Sequence, residues 1–257
     1  MVPSDYHVHT ARCGHAGGET REYVLTALAR GLSEVAITDH LPLYFLDGED
    51  PDPGVAMAAR ELPGYVDEVL SLKQEFAGRI DVLLGIEADY AEGREEELAR
   101  LLSLHAWDVV LGSVHRVAGD WIDAPGSARR HESEGTEFLW TEYYRLLAAA
   151  CATGLFDVMA HFDLPKKFGH RRPAACTGAE RAAVEAAARA GVAVEVSSAG
   201  LRKGVAEIYP GPSLLLDLAA AATASLRKAT SAGAWASEEK TTGTPAAARS
   251  RRREGPG

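Results

Sequence analysis

The sequence predicts an α/β fold in which helices cover a parallel sheet, and three observations support this class. Short apolar runs alternate along the chain with longer amphipathic segments. The short runs are apolar at consecutive positions, as expected for strands that are buried on both faces. Most of them end in a histidine or a glutamate, and the catalytic side chains of parallel barrels gather where the strands end. Six predicted strands in this arrangement favour a barrel or a partial barrel.

The predicted strands and helices follow one another in regular alternation. The strands are expected at Asp5–His9, Val35–His40, Val82–Glu87, Val109–His115, Phe156–His161 and Val192–Val196. The helices are expected at Glu19–Arg30, Ala58–Phe76, Glu92–Leu104, Glu134–Thr153 and Thr177–Ala190. Pro63 is expected to break or restart the second helix, because proline lacks the backbone N–H. Ser213–Ala222 has the composition of one further helix.

The chain divides by composition into a domain and a tail. Its 257 residues are enough for one large domain with its own core, which we expect to span residues 1–222. Residues 223–257 are rich in Ala, Ser, Thr and Gly and contain seven Lys or Arg against three Asp or Glu. This composition predicts a disordered tail in which Arg249–Arg253 is a solvated basic cluster.

Composition and charge argue against several classes of protein. The cysteines Cys13, Cys151 and Cys176 are an odd and scattered set, so a disulfide framework is not expected. No apolar run reaches membrane-spanning length, and the N-terminus lacks the pattern of an export signal. We therefore expect a cytoplasmic protein without a membrane partner. The net charge of −10 argues against binding nucleic acid but permits a small phosphorylated substrate, because bound cations can supply positive charge.

The histidines indicate a metal site. All nine lie between His7 and His170, and most follow a predicted strand. His7 and His9 alternate along the first strand and therefore point to one face, as a divalent-metal site requires. Glu87 offers two oxygens and would be able to bridge two metals. The candidate metal ligands are His7, His9, His15, His40, Glu87, His115 and His161.

The remaining histidines and Cys13 have simpler explanations. A single histidine at a strand end is more often a core or rim residue than a ligand, which is our expectation for His105, His131 and His170. Cys13 would be able to bind metal, but we expect a small buried loop residue.

A second group of residues is expected to bind substrate. The segment after the sixth strand, residues 195–203, contains hydroxyls, small residues and cations. Ser198 suits the rim of a site, and Arg202 would be able to grip a phosphate with its forked guanidinium. Lys166 and Lys167 follow His161 and would also be able to bind a phosphate. An exposed loop with ordinary cations explains these two lysines equally well.

These residues together resemble the polymerase-and-histidinol-phosphatase (PHP) family, and within it the monofunctional histidinol-phosphatases of histidine biosynthesis. The match extends from the N-terminus to about Pro212. The His-x-His and Thr-Asp-His motifs mark the superfamily, whereas the segments after residues 161 and 197 are more specific to the phosphatases. The motifs lie at residues 5–10, 13–16, 37–40, 85–90, 112–115, 161–169 and 195–203.

The resemblance implies a distorted seven-stranded barrel that holds three metal ions, of zinc, manganese or iron. One metal would take His7, His9 and Glu87. A second would share Glu87 and add His115 and His161, and a third would take His15 and His40. Such enzymes hydrolyse L-histidinol phosphate to L-histidinol and phosphate. The residues expected to act in catalysis are Glu87, His161 and, with lower rank, Asp39, which would orient a ligand or a proton.

The sequence departs from this family at its C-terminal end. The resemblance implies a seventh strand with a Ser-Asp-Ala-His-like motif, whose aspartate and histidine complete the first and third metal sites. After Pro212 the sequence contains Asp217 as its one aspartate and no histidine. We hypothesise a frameshift near residue 220, which predicts a barrel without its seventh strand and weak or absent activity.

Two alternatives remain open. The chain would be able to act as a related PHP phosphoesterase on nucleotides or nucleic-acid ends, although its acidic charge disfavours polymers. It would also fit an inactive remnant that binds metal without turnover. The sequence does not specify an oligomeric state.

Overall fold

The computed structural model describes residues 4–233 of the chain, and the side chains of residues 4–223. Its strands are β1 (Ser4–Val8), β2 (Glu34–Ile37), β3 (Asp81–Asp89), β4 (Val109–Ser113), β5 (Arg116–Val117), β6 (Asp120–Trp121), β7 (Val158–Met159) and β8 (Ala193–Val194). Its α-helices are α1 (Thr20–Ala29), α2 (Leu62–Glu75), α3 (Glu95–Leu102), α4 (Thr136–Ala152), α5 (Thr177–Ala190) and α6 (Pro212–Gly233). The predicted alternation of strands and helices is confirmed.

Six parallel strands form one sheet in the order β1-β2-β3-β4-β7-β8. The sheet curls into a half-barrel with helices packed on it, which confirms the predicted class. All six strands run in the same direction, so their C-terminal ends meet along one rim. A short antiparallel hairpin, β5–β6, follows β4 and was not among the predicted elements.

The helices follow the predicted positions closely. Helix α5 has the predicted bounds and ends at Gly191, whose left-handed backbone closes it. Pro63 lies in the first turn of α2, where a missing N–H costs nothing, so the proline starts this helix rather than breaking it. A five-residue π-helical segment, His131–Gly135, precedes α4. It occupies the beginning of the helix that the sequence predicts from Glu134.

A buried tyrosine of α2 fixes the rim of the sheet. The Tyr65 hydroxyl lies 2.7 Å from the carbonyl oxygens of both Ile37 and Gly85, at the C-terminal parts of β2 and β3. The backbone N–H of Asp39 donates to the same hydroxyl at 3.4 Å. Because Tyr65 is fully buried, these bonds form away from competing water. They hold the segment after β2 at the position where its polar residues emerge.

The half-barrel is open along one side. Among the described residues, β1 and β8 each pair with one neighbour, and no seventh parallel strand is present, as predicted. Helix α6 continues to Gly233, past residue 223, where the sequence predicts the tail to begin. Residues 234–257 of the predicted tail lie outside the described residues, and the domain boundary at residue 222 stays a prediction. Asp217 lies exposed on α6.

Two smaller expectations concern the cysteines and membranes. Cys13, Cys151 and Cys176 are buried free thiols. Within residues 4–233, no helix has both the length and the hydropathy to cross a lipid bilayer.

Candidate metal centre

Six imidazole rings gather at the C-terminal rim of the sheet. Neighbouring rings are separated by centroid distances from 4.7 Å, between His9 and His40, to 5.8 Å, between His7 and His161. The rings are contributed by five parts of the rim: β1, the loop after it, and the segments that follow β2, β4 and β7. The members of this histidine cluster are His7, His9, His15, His40, His115 and His161.

One oxygen of Glu87 faces three of these rings. Oε2 lies 3.1 Å from Nε2 of His7, 3.5 Å from Nε2 of His9 and 3.4 Å from Nδ1 of His40. The backbone explains why His40 reaches the carboxylate: His40 and Glu87 form a parallel bridge, so the β2–β3 pairing continues past the end of β2. The other two rings come from β1 and the residue after it, on the far side of β2.

The second oxygen of Glu87 faces a different pair of rings. Oε1 lies 3.3 Å from Nε2 of His161 and 3.8 Å from Nε2 of His115, and it accepts a hydrogen bond from the Ser113 hydroxyl. Glu87 is 1% exposed. A buried carboxylate whose two oxygens address separate sets of nitrogen donors has the form of a ligand shared between two cations.

The donor atoms also fall into compact groups of three. Ligand atoms of His7, Glu87 and His161 lie within 4.8 Å of one another, and the same holds for His9, His15 and His40. The Nε2 atoms of His7 and His9 are 3.1 Å apart. Imidazole nitrogens and carboxylate oxygens are donors for zinc, manganese and iron. The residues present therefore fit divalent metal ions.

Further carboxylates hold the far sides of the rings. Asp89 Oδ1 lies 2.6 Å from Nδ1 of His115, and Glu195 Oε1 lies 2.9 Å from Nδ1 of His7. A histidine that binds metal through one nitrogen usually donates the other N–H to such a group, which fixes its tautomer. Sequence reasoning missed both carboxylates. The signal for Asp89 was present, because it is two residues from Glu87 on the same strand and therefore shares its face.

The charges of the cluster shift its pKa values in opposite directions. Burial raises the pKa of the Glu87 carboxyl, but His40 and His7 outweigh burial and hold it well below its usual value. Burial lowers the pKa of His7, yet Glu87 and Glu195 bring it well above 6.5. Burial likewise opposes the protonation of His115, whereas Asp89 raises its pKa to about 10. At His40, burial outweighs the attraction of Glu87 and holds the pKa well below 6.5. Glu87 therefore lies among rings that are not all charged, and a bound cation would supply further positive charge.

The backbone at His161 adopts an unusual conformation. Its φ is +30°, a region that side chains other than glycine rarely occupy. Two bonds hold it there: the Tyr143 hydroxyl donates to the His161 carbonyl oxygen at 2.8 Å, and the His161 N–H donates to Glu195 Oε2 at 2.9 Å. Strain of this kind is commonly found where a side chain must be aimed at a site.

Asp39 lies beside the cluster. It is fully buried, accepts a hydrogen bond from the Thr10 hydroxyl, and has Oδ1 3.6 Å from Nδ1 of His9. With His9 and Cys13 it forms one more compact group of possible ligand atoms. Cys13 is a buried loop residue, as expected. These contacts place Asp39 behind a histidine of the cluster rather than at its open side.

The residues predicted to bind substrate have different surroundings. The Lys166 ammonium is buried and lies 2.7 Å from Asp163, 2.8 Å from Glu207 and 2.7 Å from the Ile208 carbonyl oxygen. These contacts use all three of its donors, which argues against a role on the phosphate. Ser198 and Arg202 are exposed, and Arg202 makes no ion pair with any residue that the structure describes.

Two histidine contacts lie outside the cluster. His131 stacks on His170 with ring centroids 4.1 Å apart, and His105 packs edge-on against Trp107.

The loop after β6 adds a residue that sequence reasoning missed. Asp123 accepts from the Lys167 ammonium at 2.9 Å, and although burial raises its pKa, His115 and Lys167 bring the value below its usual range.

Comparison with known proteins agrees with this geometry. The family model described as the PHP domain matches residues 5–199. A relative from Deinococcus radiodurans, named "Probable histidinol-phosphatase", is 41% identical over 213 residues, which cover 82% of this chain and 79% of the relative.

Two solved structures share the fold. A protein of Listeria monocytogenes assigned as a histidinol phosphatase superposes with a TM-score of 0.76 at 21% identity, over 85% of this chain and 91% of that one. The histidinol phosphate phosphatase of Lactococcus lactis, whose crystal structure is a complex with zinc, L-histidinol and phosphate, gives 0.68 at 20% identity, over 86% and 82%. The histidine cluster, the half-barrel and the matched family model agree, and the chain belongs to the PHP domain family.

Proposed function

We propose that this chain is a metal-dependent phosphomonoesterase that hydrolyses L-histidinol phosphate to L-histidinol and phosphate, in the cytoplasm and as part of histidine biosynthesis. The observation that carries the proposal is the division of the histidine cluster by Glu87, whose two oxygens face separate sets of rings. The substrate is inferred from the relatives, which are named for this activity.

We assign the metal ligands in three sets that follow the sequence prediction. His7, His9 and Glu87 form the first set, and the second shares Glu87 and adds His115 and His161. His15 and His40 form the third, for which His9 is a further donor nearby. Divalent metal ions in such a site lower the pKa of bound water and offset the charge of phosphate oxygens.

The residues of the chain prepare this chemistry. Asp89 and Glu195 lie against Nδ1 of His115 and His7, which leaves Nε2 of each ring, on the side of Glu87, as the nitrogen that would bind metal. Because Glu87 is buried, bulk water does not weaken the attraction between its carboxylate and a bound cation. We assign Asp39 a positioning role on His9, which is the orienting role that the sequence suggests.

The rim of the site carries the cations that would meet a phosphate. Arg202 is exposed. Lys167 is held by Asp123, and the Asp123 carboxylate in turn interacts with the charges of His115 and His161. We favour Arg202 over the buried Lys166 as a phosphate ligand, with Ser198 beside it in the same turn.

The direct test is phosphate release from L-histidinol phosphate by the full chain, after addition of manganese or zinc. We expect turnover that requires metal and that is slower than turnover by the D. radiodurans relative, because the last ligand motif is missing from the sequence. p-Nitrophenyl phosphate, mononucleotides and oligonucleotides serve as competing substrates. Faster hydrolysis of a nucleotide would favour the alternative phosphoesterase and contradict the proposal.

One observation favours a second candidate, an inactive metal-binding remnant. Within the described residues, His9 completes the compact ligand group of His15 and His40, although His9 also lies 3.5 Å from Glu87. One ring cannot serve both sets fully. Elemental analysis separates the candidates: bound metal without measurable turnover would identify the remnant and contradict the phosphatase.

A further inference from the structure

Glu195 links the two edges of the open half-barrel at the metal centre. It follows β8, the last strand of the sheet, and its backbone N–H donates to the Met159 carbonyl oxygen at 3.0 Å. Its side chain reaches across to β1, the first strand, where Oε1 lies 2.9 Å from Nδ1 of His7. The contact therefore connects two strands that are not neighbours in the sheet.

Both oxygens of this carboxylate are engaged. Oε2 accepts the backbone N–H of His161 at 2.9 Å, at the residue whose φ of +30° aims its ring at Glu87. The side chain of Glu195 is 13% exposed. One carboxylate thus holds the ring of His7 and the backbone of His161, and both histidines lie in the same compact ligand group with Glu87.

We propose that Glu195 is a positioning residue for the metal centre, which fixes His7 in the tautomer that carries its proton on Nδ1 and holds the backbone of His161 in place. The inference rests on the proposed role of His7 as a ligand. A carboxylate can only accept, so His7 must donate from Nδ1 to Glu195. Nε2, on the side of Glu87, is then the nitrogen that would bind metal.

Replacement by glutamine separates this role from simple packing. Glutamine has nearly the same shape, but it offers one oxygen and one NH2 group. If its oxygen stays on the His161 N–H, its NH2 faces Nδ1 of His7 and favours the Nε2–H tautomer, which removes the ligand lone pair. If the amide turns over, NH2 opposes the N–H of His161. Either orientation spoils one of the two contacts that the carboxylate satisfies together.

The test compares Glu195→Gln with the wild type, Glu195→Asp and a matched control, Glu185→Gln, whose carboxylate lies exposed on α5. Long-range ¹H–¹⁵N spectra of the zinc-loaded protein report which nitrogen of each histidine carries the proton, with His7 assigned from a His7→Asn variant. Chelator competition then measures the affinity for zinc. Urea unfolding in EDTA reports whether any variant loses fold stability in the absence of metal.

In the zinc-loaded wild type we expect His7 to carry its proton on Nδ1. In Glu195→Gln we expect the proton on Nε2, with zinc affinity lowered about 10- to 100-fold. Glu195→Asp keeps a carboxylate and should bind zinc more tightly than Glu195→Gln, and Glu185→Gln should match the wild type. An Nε2–H tautomer in the wild type would overturn the proposal, even if Glu195→Gln failed to fold. So would wild-type zinc affinity in Glu195→Gln. Neither readout needs substrate, so absence of turnover in the wild type would count against the proposed function alone.

Discussion

Glu87 concentrates the chemistry of the site at a single residue, because its two oxygens are the contact shared by both sets of histidines. Glu87→Gln keeps the size of the side chain and removes its charge. We expect this variant to lose at least one bound zinc per chain and to lower phosphate release about 100-fold or more, since both sets lose an anionic ligand. Zinc content by elemental analysis and phosphate release check this.

The control for Glu87→Gln is Glu96→Gln, a substitution of the same kind at an exposed position of α3. It should leave zinc content and turnover unchanged. A Glu87→Gln protein with the wild-type zinc content would contradict the assignment of Glu87 as a shared ligand.

His131 gives the molecule a pH dependence that is separate from the metal centre. Burial, with a smaller contribution from His170, lowers its pKa to about 4, against about 6.5 in an unfolded chain. The unfolded state therefore binds more protons between these values, so stability that is fully present above pH 6.5 is lost as the pH falls toward 4. At pH 5 the loss relative to pH 7 is roughly 2 kcal/mol.

In the wild type, the rings of His131 and His170 stack with their centroids 4.1 Å apart. His131→Phe removes the titrating group and keeps an aromatic ring in the same stack. Urea unfolding of the wild type and the variant at pH 7 and pH 5, in EDTA, should show a loss of stability that is smaller in the variant by about that amount. If the free energy of unfolding falls equally in the two proteins between pH 7 and pH 5, His131 does not take up a proton on unfolding.

At the residue scale, the sequence predicted the members of the histidine cluster but not what holds them. A His-x-His alternation and histidines at strand ends are local patterns, and the structure brings all six rings together with Glu87. Glu195 and Asp123 were missed because their importance depends on contacts across the fold, with His7 and with Lys167. Lys166 was predicted to bind substrate because one of its partners, Glu207, is distant in the sequence.

At the element scale, close contact between strand β4 and the segment before β7 depends on Gly112. A Cβ atom at this position would lie 2.4 Å from Cγ of Phe156, too close for any rotamer change to relieve. Gly112→Ala should lower the free energy of unfolding by about 1–3 kcal/mol through overpacking. Because β4 leads to Ser113 and His115, we also expect weaker zinc binding.

Gly64 in α2 provides the matched control. A Cβ there meets no atom within 4 Å, so Gly64→Ala should raise stability by about 0.5–1 kcal/mol through helix propensity. The double variant Gly112→Ala with Phe156→Ala removes the clashing atoms, so it should lose less stability than the sum of the two single variants. Full additivity of the two substitutions in urea unfolding would show that the ring of Phe156 is not what opposes the new methyl group.

The elements themselves were predictable where periodicity and end signals agree. Helix α5 matches its predicted bounds, because an amphipathic repeat ends at a glycine. The hairpin β5–β6 was missed because each of its strands has two residues, too few for a pattern to emerge. The beginning of α4 differs from the prediction because a π-helical segment at His131–Gly135 replaces its first turn, and propensities do not distinguish such segments from α-helix.

At the scale of the whole molecule, the open side of the half-barrel is where fold and function meet. The strands β1 and β8 lie at the two ends of the sheet, and the metal centre lies at their rim. The contact of Glu195 with His7 spans this side, but hydrogen-bonding groups on the strand edges have no partner strand among the described residues. Such edges are sites where another strand can add.

The final prediction tests whether a missing strand limits this chain. Residues 212–257 are replaced by the C-terminal segment of the D. radiodurans relative that follows its counterpart of Pro212. If that segment supplies the strand and the aspartate and histidine that the resemblance implies, the chimera should bind more zinc per chain and release phosphate at least ten times faster than the parent. Unfolding in urea should also require more denaturant, since the added strand buries apolar surface against the sheet.

A chimera in which the transplanted segment's final aspartate and histidine are replaced by asparagine and glutamine separates the two contributions. It should keep the gain in stability and lose the gain in zinc and turnover, because strand pairing needs the backbone whereas metal binding needs the side chains. If the first chimera binds no more zinc and releases phosphate no faster than the parent, the idea that the C-terminal sequence impairs the site is refuted. Sequencing the gene beyond residue 220 then decides the origin of the departure: if no reading frame encodes a strand ending in Asp-Ala-His, the frameshift hypothesis fails.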